Sequence, residues 1–265
     1  FDDMRRFIAF KKDSIFLNVG NSYVLKEANS SILFSDIEKV VIPLKTVESE
    51  GRDYNDLKVL KSEGRELLLK SLGFLPNPDN VKYIMWSSYD MNNSRKGFVH
   101  FIKALKVLKN TVDKSVIKNL VVVLCCIPDY KLMKEFKKLE INVVAPGLIK
   151  NREEYTKYLL GCDVYCSTTI SDAGPRTTYE AAACGTPIVS YDNCNSIDFV
   201  NEENGALIET MNTYKYGLAI AKILSLNKQQ QETFSRNIYN SYKDLMDDNS
   251  LTEKWNNFFN KTLDT

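Results

Sequence analysis

The stretch "SDAGPRTTYEAAACGTPIVSYD", residues 171–192, holds a polar loop, a helical pattern and an apolar strand pattern in succession. Pro175 suits the first turn of a helix, because its missing N–H would have had no partner there. The small residues after it let a helix lie close to a sheet, and "PIVSYD" has the character of a buried strand. The stretch therefore predicts one loop, helix and strand unit of an open parallel sheet.

The rest of the chain repeats this alternation of short apolar runs and longer amphipathic stretches. The predicted strands are 14–20, 39–44, 81–88, 119–126, 141–147, 163–169, 187–192 and 205–209. The predicted helices are 21–30, 53–72, 97–109, 130–139, 151–160, 176–184, 195–200, 211–226, 228–246 and 251–263. This order is typical of βα units, and the predicted fold class is α/β with a doubly wound, Rossmann-like parallel sheet.

Composition narrows the function classes. The chain has 265 residues, 44% of them apolar, with 35 Lys and Arg against 34 Asp and Glu, so no overall field favours nucleic acid. No apolar run reaches the roughly 18 residues that cross a bilayer, and no secretory signal opens the chain. The six cysteines form no CxxC pair and there is one His, so no metal site is predicted. We expect a cytoplasmic location, with peripheral association at the inner face of the membrane left open.

The loop 170–176 is the first candidate site, since ligands of open parallel sheets bind at the carboxyl ends of strands. Main-chain N–H groups from Gly174, or from Arg176 onward, are available to bind an anion at the helix start, and the helix dipole favours negative charge. Glu180 lies three residues after Thr177 and can accept two hydrogen bonds from a diol such as ribose. Asp172 can accept from hydroxyls joined to the phosphate. On this loop alone, an ordinary βαβ connection stays an equal interpretation.

A second loop, "SSYDMNNSRKGF" (87–98), also follows a strand and opens a helix. It carries Arg95, Lys96 and Gly97 at the junction. Lys96 can neutralise diphosphate oxygens as a point charge, and Gly97 permits close approach of the backbone. Two such loops of one sheet are expected to converge on a sugar diphosphate.

Together these residues resemble the donor-binding, C-terminal domain of GT-B glycosyltransferases of the large retaining group called family 4. That group has an E-x7-E motif and then "EAMACGTPVV"; Asp172-x7-Glu180 and "AAACGTPIV" (181–189) match it, with Asp for the first Glu. Its "KG" and "NG" pairs match Lys96-Gly97 and Asn204-Gly205, and "VVIPL" (40–44) is similar to its "VIPNG". The resemblance covers roughly 14–262, is specific at 163–208, and is strongest to transferases of bacterial surface-polysaccharide assembly.

The resemblance implies a role for each matching residue. Lys96 would contact the donor diphosphate, and the catalytic pair would be Glu180 at the ribose and Asp172 at the transferred sugar. Further donor-binding positions are Ser88, Arg95, Gly97, Gly147, Leu148, Ile149, Ala173, Gly174, Pro175, Arg176 and Thr177. Of these, 147–149 would flank the base. The family usually has an Arg where this chain has Ser87 and Ser88, so Arg95 or Arg176 is expected to replace that cation.

The resemblance also implies partners and domains. The donor would be a UDP- or GDP-sugar and the acceptor a saccharide or a lipid-linked saccharide, with retention of configuration and with no cofactor or metal. The expected division is 1–38 as the tail of an N-terminal acceptor domain, 39–248 as the donor domain and 249–265 as a helix that returns toward the N-terminal domain. The chain begins at Phe1, so we expect missing upstream sequence and no transfer by these residues alone.

Three further interpretations complete the analysis. His100 is expected to be a helix-face residue and not a catalytic base. A binding or partner module without catalysis is one alternative function, which Ser88 and Asp172 permit. A sugar-nucleotide epimerase with the same two-domain fold is the other alternative, and the match at 172–187 argues against it.

Overall fold

The computed structural model describes residues 15–45, 53–72 and 80–263, and the single positions 4 and 8. The strands are β1 (Phe16–Val19), β2 (Glu38–Val41), β3 (Lys82–Asp90), β4 (Leu120–Ile127), β5 (Asn142–Val144), β6 (Val164–Ser167), β7 (Ile188–Tyr191) and β8 (Gly205–Ile208). The helices are α1 (Ser22–Ser30), α2 (Tyr54–Leu72), α3 (Phe98–Thr111), α4 (Lys114–Lys118), α5 (Tyr130–Leu139), α6 (Arg152–Gly161), α7 (Arg176–Ala183), α8 (Thr213–Leu224), α9 (Lys228–Leu245) and α10 (Asp248–Leu263). Two short 3-10 turns lie at Ser94–Lys96 and Cys194–Asp198.

The central sheet has six parallel strands in the order β5-β4-β3-β6-β7-β8. The chain builds outward from β3 to β5 and then returns to build outward from β6 to β8 on the other side. Ile84 of β3 pairs with Val164 of β6 where the order reverses. This confirms the doubly wound sheet, and such a reversal is where these sheets bind ligands.

Strand β4 shows why the sheet is buried on both faces. Val121, Val123 and Cys125 belong to the hydrophobic core on one face. Val122 and Leu124, which alternate with them, belong to the core on the other face. Successive side chains of a strand point to opposite faces, so an uninterrupted apolar run fits only a strand covered by helices on both sides.

Strands β1 and β2 form a separate two-stranded parallel sheet, with Phe16 opposite Glu38. The strand pattern 39–44 was expected to open the donor domain, but β2 pairs with β1 and not with the central sheet. Helix α10 reaches this small sheet, because Lys261 pairs with Glu38, and Lys45 after β2 lies 2.5 Å from Asp248. The domain division at 39 and 249 stays a prediction.

Several predicted elements differ in extent. The pattern 195–200 forms a 3-10 turn instead of an α-helix, and the short helix α4 was not predicted. The pattern 163–169 gives a strand that ends at Ser167, because the Ile170 N–H donates to the Arg95 carbonyl of the neighbouring loop instead of to a strand. The described residues contain no helix with the length and apolarity to cross a membrane.

Helices α2 and α6 pack through two glycines. A Cβ on Gly161 would lie 2.6 Å from the Gly64 carbonyl oxygen and 2.6 Å from Leu68 Cδ1. Atoms that close cannot coexist, so either backbone or side chain would have to shift. The pair therefore sets how near α2 lies to the rest of the domain.

We expect Gly161→Ala to lower the free energy of unfolding by about 1 to 3 kcal/mol, the usual cost of overpacking. Chemical denaturation monitored by circular dichroism measures the change. Gly20→Ala is the matched control, since a Cβ there meets no atom within 4 Å. Equal stability of the two variants would show that α2 and α6 separate without cost.

Candidate functional site

A cleft of about 530 Å³ opens at the carboxyl ends of β3 and β6, where the strand order reverses. It is lined by Ser87, Ser88, Tyr89, Lys96, Cys125, Leu148, Ile149, Tyr155, Thr169, Pro175, Arg176, Thr177 and Glu180. These residues come from both predicted loops and the helix α7, from β4, from the segment after β5 and from α6. The predicted convergence of the two loops on one place is therefore present in the fold.

Hydrogen bonds hold the two loops together. The Ile170 N–H donates to the Arg95 carbonyl at 2.7 Å, and the Thr168 hydroxyl donates to the Lys96 carbonyl at 3.0 Å. Gly97 has φ 69°, and a Cβ there would lie 2.0 Å from the Thr168 carbonyl oxygen. Gly97 was expected to admit a diphosphate, but its close neighbour here is the segment after β6. Its lack of a side chain positions Lys96 against that loop.

Lys96 and Asp172 form an ion pair, with Nζ 2.6 Å from Oδ2 and about a fifth of each side chain exposed. Asp172 Oδ1 also accepts from the Gly174 N–H at 3.1 Å. Burial raises the pKa of Asp172, but the hydrogen bonds from Lys96 and Gly174 outweigh burial and leave the pKa below its usual value. Asp172 therefore stays ionised and balances the charge of Lys96. The expectation that the Gly174 N–H is open to an anion is wrong for this conformation.

Glu180 lies on α7 and is 9% exposed. Its Oε1 is 3.8 Å from Arg152 Nη2 and 4.0 Å from Arg176 Nη2. Helix α7 starts after Pro175, and no side chain caps its first turn. The cleft thus brings together a carboxylate, the Arg176 guanidinium and the start of α7, which is the environment that suits a polar anionic ligand.

Hydroxyl groups form the floor of the cleft beside Glu180. Ser87 Oγ lies 2.9 Å from the Tyr155 hydroxyl and 3.0 Å from the Tyr165 hydroxyl. Burial raises the pKa of both tyrosines well above the usual value, so both stay neutral. Ser87, at a position where the sequence analysis expected a family Arg, is therefore part of a neutral hydrogen-bonded network.

Some predicted site residues lie outside the lining of the cleft. Asp172 reaches it through Lys96, and the Ala173 carbonyl accepts from Asn21. The others that do not line it are Arg95, Gly97, Gly147 and Gly174. Of the two candidates for the second cation, Arg176 lines the cleft and Arg95 does not.

Other residues line the cleft without having been predicted. They are Tyr89, Cys125, Tyr155 and Thr169. Tyr155 projects from α6, and nothing in its local sequence distinguishes it from an ordinary buried aromatic. Cys125 was interpreted as a buried apolar residue, and burial does raise its pKa.

Two residues singled out in the sequence lie elsewhere. His100 sits on α3, and its ring lies 6.2 Å from that of Tyr191 in an edge-on contact. Burial and the nearby charge of Lys103 lower its pKa, which fits the predicted helix-face role. Asn204 is fully buried and donates to the Phe199 carbonyl at 2.9 Å, so it orders its own turn.

The family comparison agrees with this geometry. The model described as glycosyl transferases group 1 matches residues 77–241, which is more than half of the chain. The chain therefore belongs to the glycosyl transferases group 1 family. No curated protein sequence matches it significantly.

The solved structures that share this fold include GT-B glycosyltransferases. A TarM variant from S. aureus, in complex with Fondaparinux, alpha-GlcNAc-glycerol and UDP, has a TM-score of 0.69 at 17% identity, over 96% of this chain and 46% of that one. A glycosyltransferase from Rickettsia africae has a TM-score of 0.75 at 15% identity, over 99% of this chain and 67% of that one. HepE from Anabaena, in complex with UDP and glucose, has a TM-score of 0.68 at 13% identity, over 98% of this chain and 67% of that one. The chain spans about half the length of the first of these structures.

Proposed function

We propose that this chain is the donor-binding half of a glycosyltransferase that moves a hexose, with retention, from a nucleoside-diphosphate sugar to a saccharide or lipid-linked acceptor. The observation that carries the proposal is the convergence of Lys96 and Glu180 on one cleft from two loops of the sheet. The family match and the UDP in two structures of the same fold support it. The acceptor site belongs to an upstream domain, with residues 1–38 as its tail.

Within the cleft, the basic and acidic side chains bind different parts of the donor. Lys96 and Arg176 neutralise the diphosphate, and Glu180 accepts hydrogen bonds from the ribose hydroxyls. Leu148 and Ile149, at the rim, contact the base.

The ion pair between Lys96 and Asp172 links donor binding to sugar recognition. When the diphosphate arrives, Lys96 exchanges the Asp172 carboxylate for phosphate oxygens. Asp172 then has an oxygen available for a hydroxyl of the sugar, while its other oxygen keeps the bond to the Gly174 N–H. Sugar recognition thus follows phosphate binding.

We expect Lys96→Ala to weaken UDP and GDP by about 1.5 to 3 kcal/mol, the scale of hydrogen bonds to charged groups. Uridine and guanosine carry no phosphate and should keep their affinity. Calorimetric titration of the four ligands measures the effect and identifies the preferred base.

Asp172→Asn is the matched control for Lys96→Ala, because it removes the same ion pair and leaves the cation in place. It should bind nucleoside diphosphates at least as well as the parent. Equal weakening in both variants would assign the effect to the lost ion pair. Failure of both UDP and GDP to bind the parent would contradict the proposed function.

A further inference from the structure

A second cleft, of about 290 Å³, lies at the opposite edge of the sheet. Asp163 and Pro187, which line it, come just before β6 and β7 and therefore mark the amino ends of the strands. Its walls are one face of α2 and one face of α9. This cleft is separate from the one that holds Lys96 and Glu180.

The lining of this second cleft is rich in positive charge. Lys58 and Arg65 are balanced, since Lys58 lies 2.5 Å from Glu232 and Arg65 lies 2.5 Å from Asp163. Lys61 donates to the Gly185 carbonyl at 2.7 Å, and Lys228 is exposed at the start of α9. Neither of these two lysines forms an ion pair with a carboxylate among the described residues that line the cleft.

Two hydrogen-bond donors at the cleft have no partner. Ser235 is 5% exposed, lines the cleft, and its Oγ makes no hydrogen bond among the described residues. Arg65 uses Nη2 for Asp163, while its buried Nη1 is likewise unpartnered there. A buried donor without an acceptor costs free energy, so the geometry favours a ligand that brings acceptor oxygens.

Lys61 adds to the same imbalance. Burial lowers its pKa to about 8, and the nearby charge of Asp163 offsets that effect only in part. A bound anion would supply that charge. A volume of about 290 Å³ lies at or below the range of drug-sized pockets, which suits a compact ligand and not a second nucleotide sugar.

We propose that the cleft between α2 and α9 binds a phosphate group, with Lys61, Arg65 and Ser235 as its ligands. Phosphate oxygens can accept from the ammonium, from the free Nη1 and from the hydroxyl, after small rotations of side chains. The chemistry is that of inorganic phosphate or of a compact phosphomonoester.

The test is calorimetric titration of inorganic phosphate into the Lys96→Ala protein, which lacks one of the two cations expected to contact phosphate at the first cleft. We expect saturable binding that Lys61→Met and Ser235→Ala each weaken by about tenfold or more, as for a lost hydrogen bond to a charged group. Lys222→Met, an exposed lysine on α8, is the matched control and should change nothing.

Glycerol 3-phosphate is titrated in parallel to distinguish the two sources of the phosphate group. Tighter binding than inorganic phosphate assigns the site to a phosphomonoester, and weaker binding assigns it to the free ion. If Lys61→Met fails to fold, Ser235→Ala decides. Absence of saturable binding of either ligand, or equal affinity in Ser235→Ala and Lys222→Met, overturns the proposal.

Discussion

Incubated with a labelled nucleotide sugar and an acceptor preparation, these 265 residues should bind donor and transfer no sugar. Glycosyl transfer needs donor and acceptor held together in one geometry, and such positioning is worth about 7 to 11 kcal/mol of the barrier. The described residues provide one six-stranded sheet, a two-stranded sheet and the cleft that holds Lys96 and Glu180. We propose that the acceptor half comes from upstream residues. Loss of this positioning is the largest effect that we expect.

The assay compares the chain alone with a longer protein, or with the upstream domain added separately. Labelled product should appear only when both halves are present. A longer protein with Glu180→Gln is the control that links turnover to the donor cleft. Robust transfer by the chain alone would refute the two-domain proposal and direct the search to Asp172 and His100.

Glu180→Ala should weaken UDP and GDP by about 1.5 to 3 kcal/mol, or roughly 10- to 150-fold, since a carboxylate that accepts two ribose hydroxyls would be lost. Glu180 is nearly buried, and Arg152 and Arg176 lie within 4.0 Å of it. The Glu180 carboxylate is therefore held in position by its surroundings, and its removal should cost the full hydrogen bonding to the ribose. Calorimetry with each nucleotide measures the change.

Two controls separate ribose recognition from a general loss of structure. Glu153→Ala removes an exposed carboxylate on α6 that pairs with Lys157 at 3.2 Å, and it should bind as the parent does. The 2′,3′-dideoxy analogue of UDP should bind more weakly than UDP to the parent, and about equally to Glu180→Ala. Retention of the parent's preference for UDP over this analogue in Glu180→Ala would remove Glu180 from the ribose role.

Much of the fold could be predicted because period and apolarity act locally. The apolar run Leu120–Ile127, buried except at its last residue, has only one stable arrangement, a strand covered on both faces. The sheet that a strand joins is a tertiary property, and β2, although predicted as a strand like the others, pairs with β1. The five residues of α4 are too few for a periodic pattern to develop.

For the site, the meeting of the two loops could be predicted from the sequence, but their detailed contacts could not. Parallel strands end at one edge, so loops after β3 and β6 had to meet. No spacing rule brings Lys96 and Asp172 into contact across 76 positions of sequence, because that distance depends on how the loops pack. Tyr155 was missed for a similar reason, since its contact with Ser87 joins a helix to a strand.

The contact between Lys96 and Asp172 also determines which anions can bind to Lys96. Any anion that enters must compete with a carboxylate that is already 2.6 Å from the ammonium. The affinity of the lysine for its ligand is thus a difference between two anions, and not the full attraction of an unpaired charge. Chloride and single carboxylates gain little by that exchange, whereas a diphosphate offers more charge and more oxygens than the aspartate it displaces. Under the proposed function, the carboxylate therefore favours a diphosphate over small, singly charged anions.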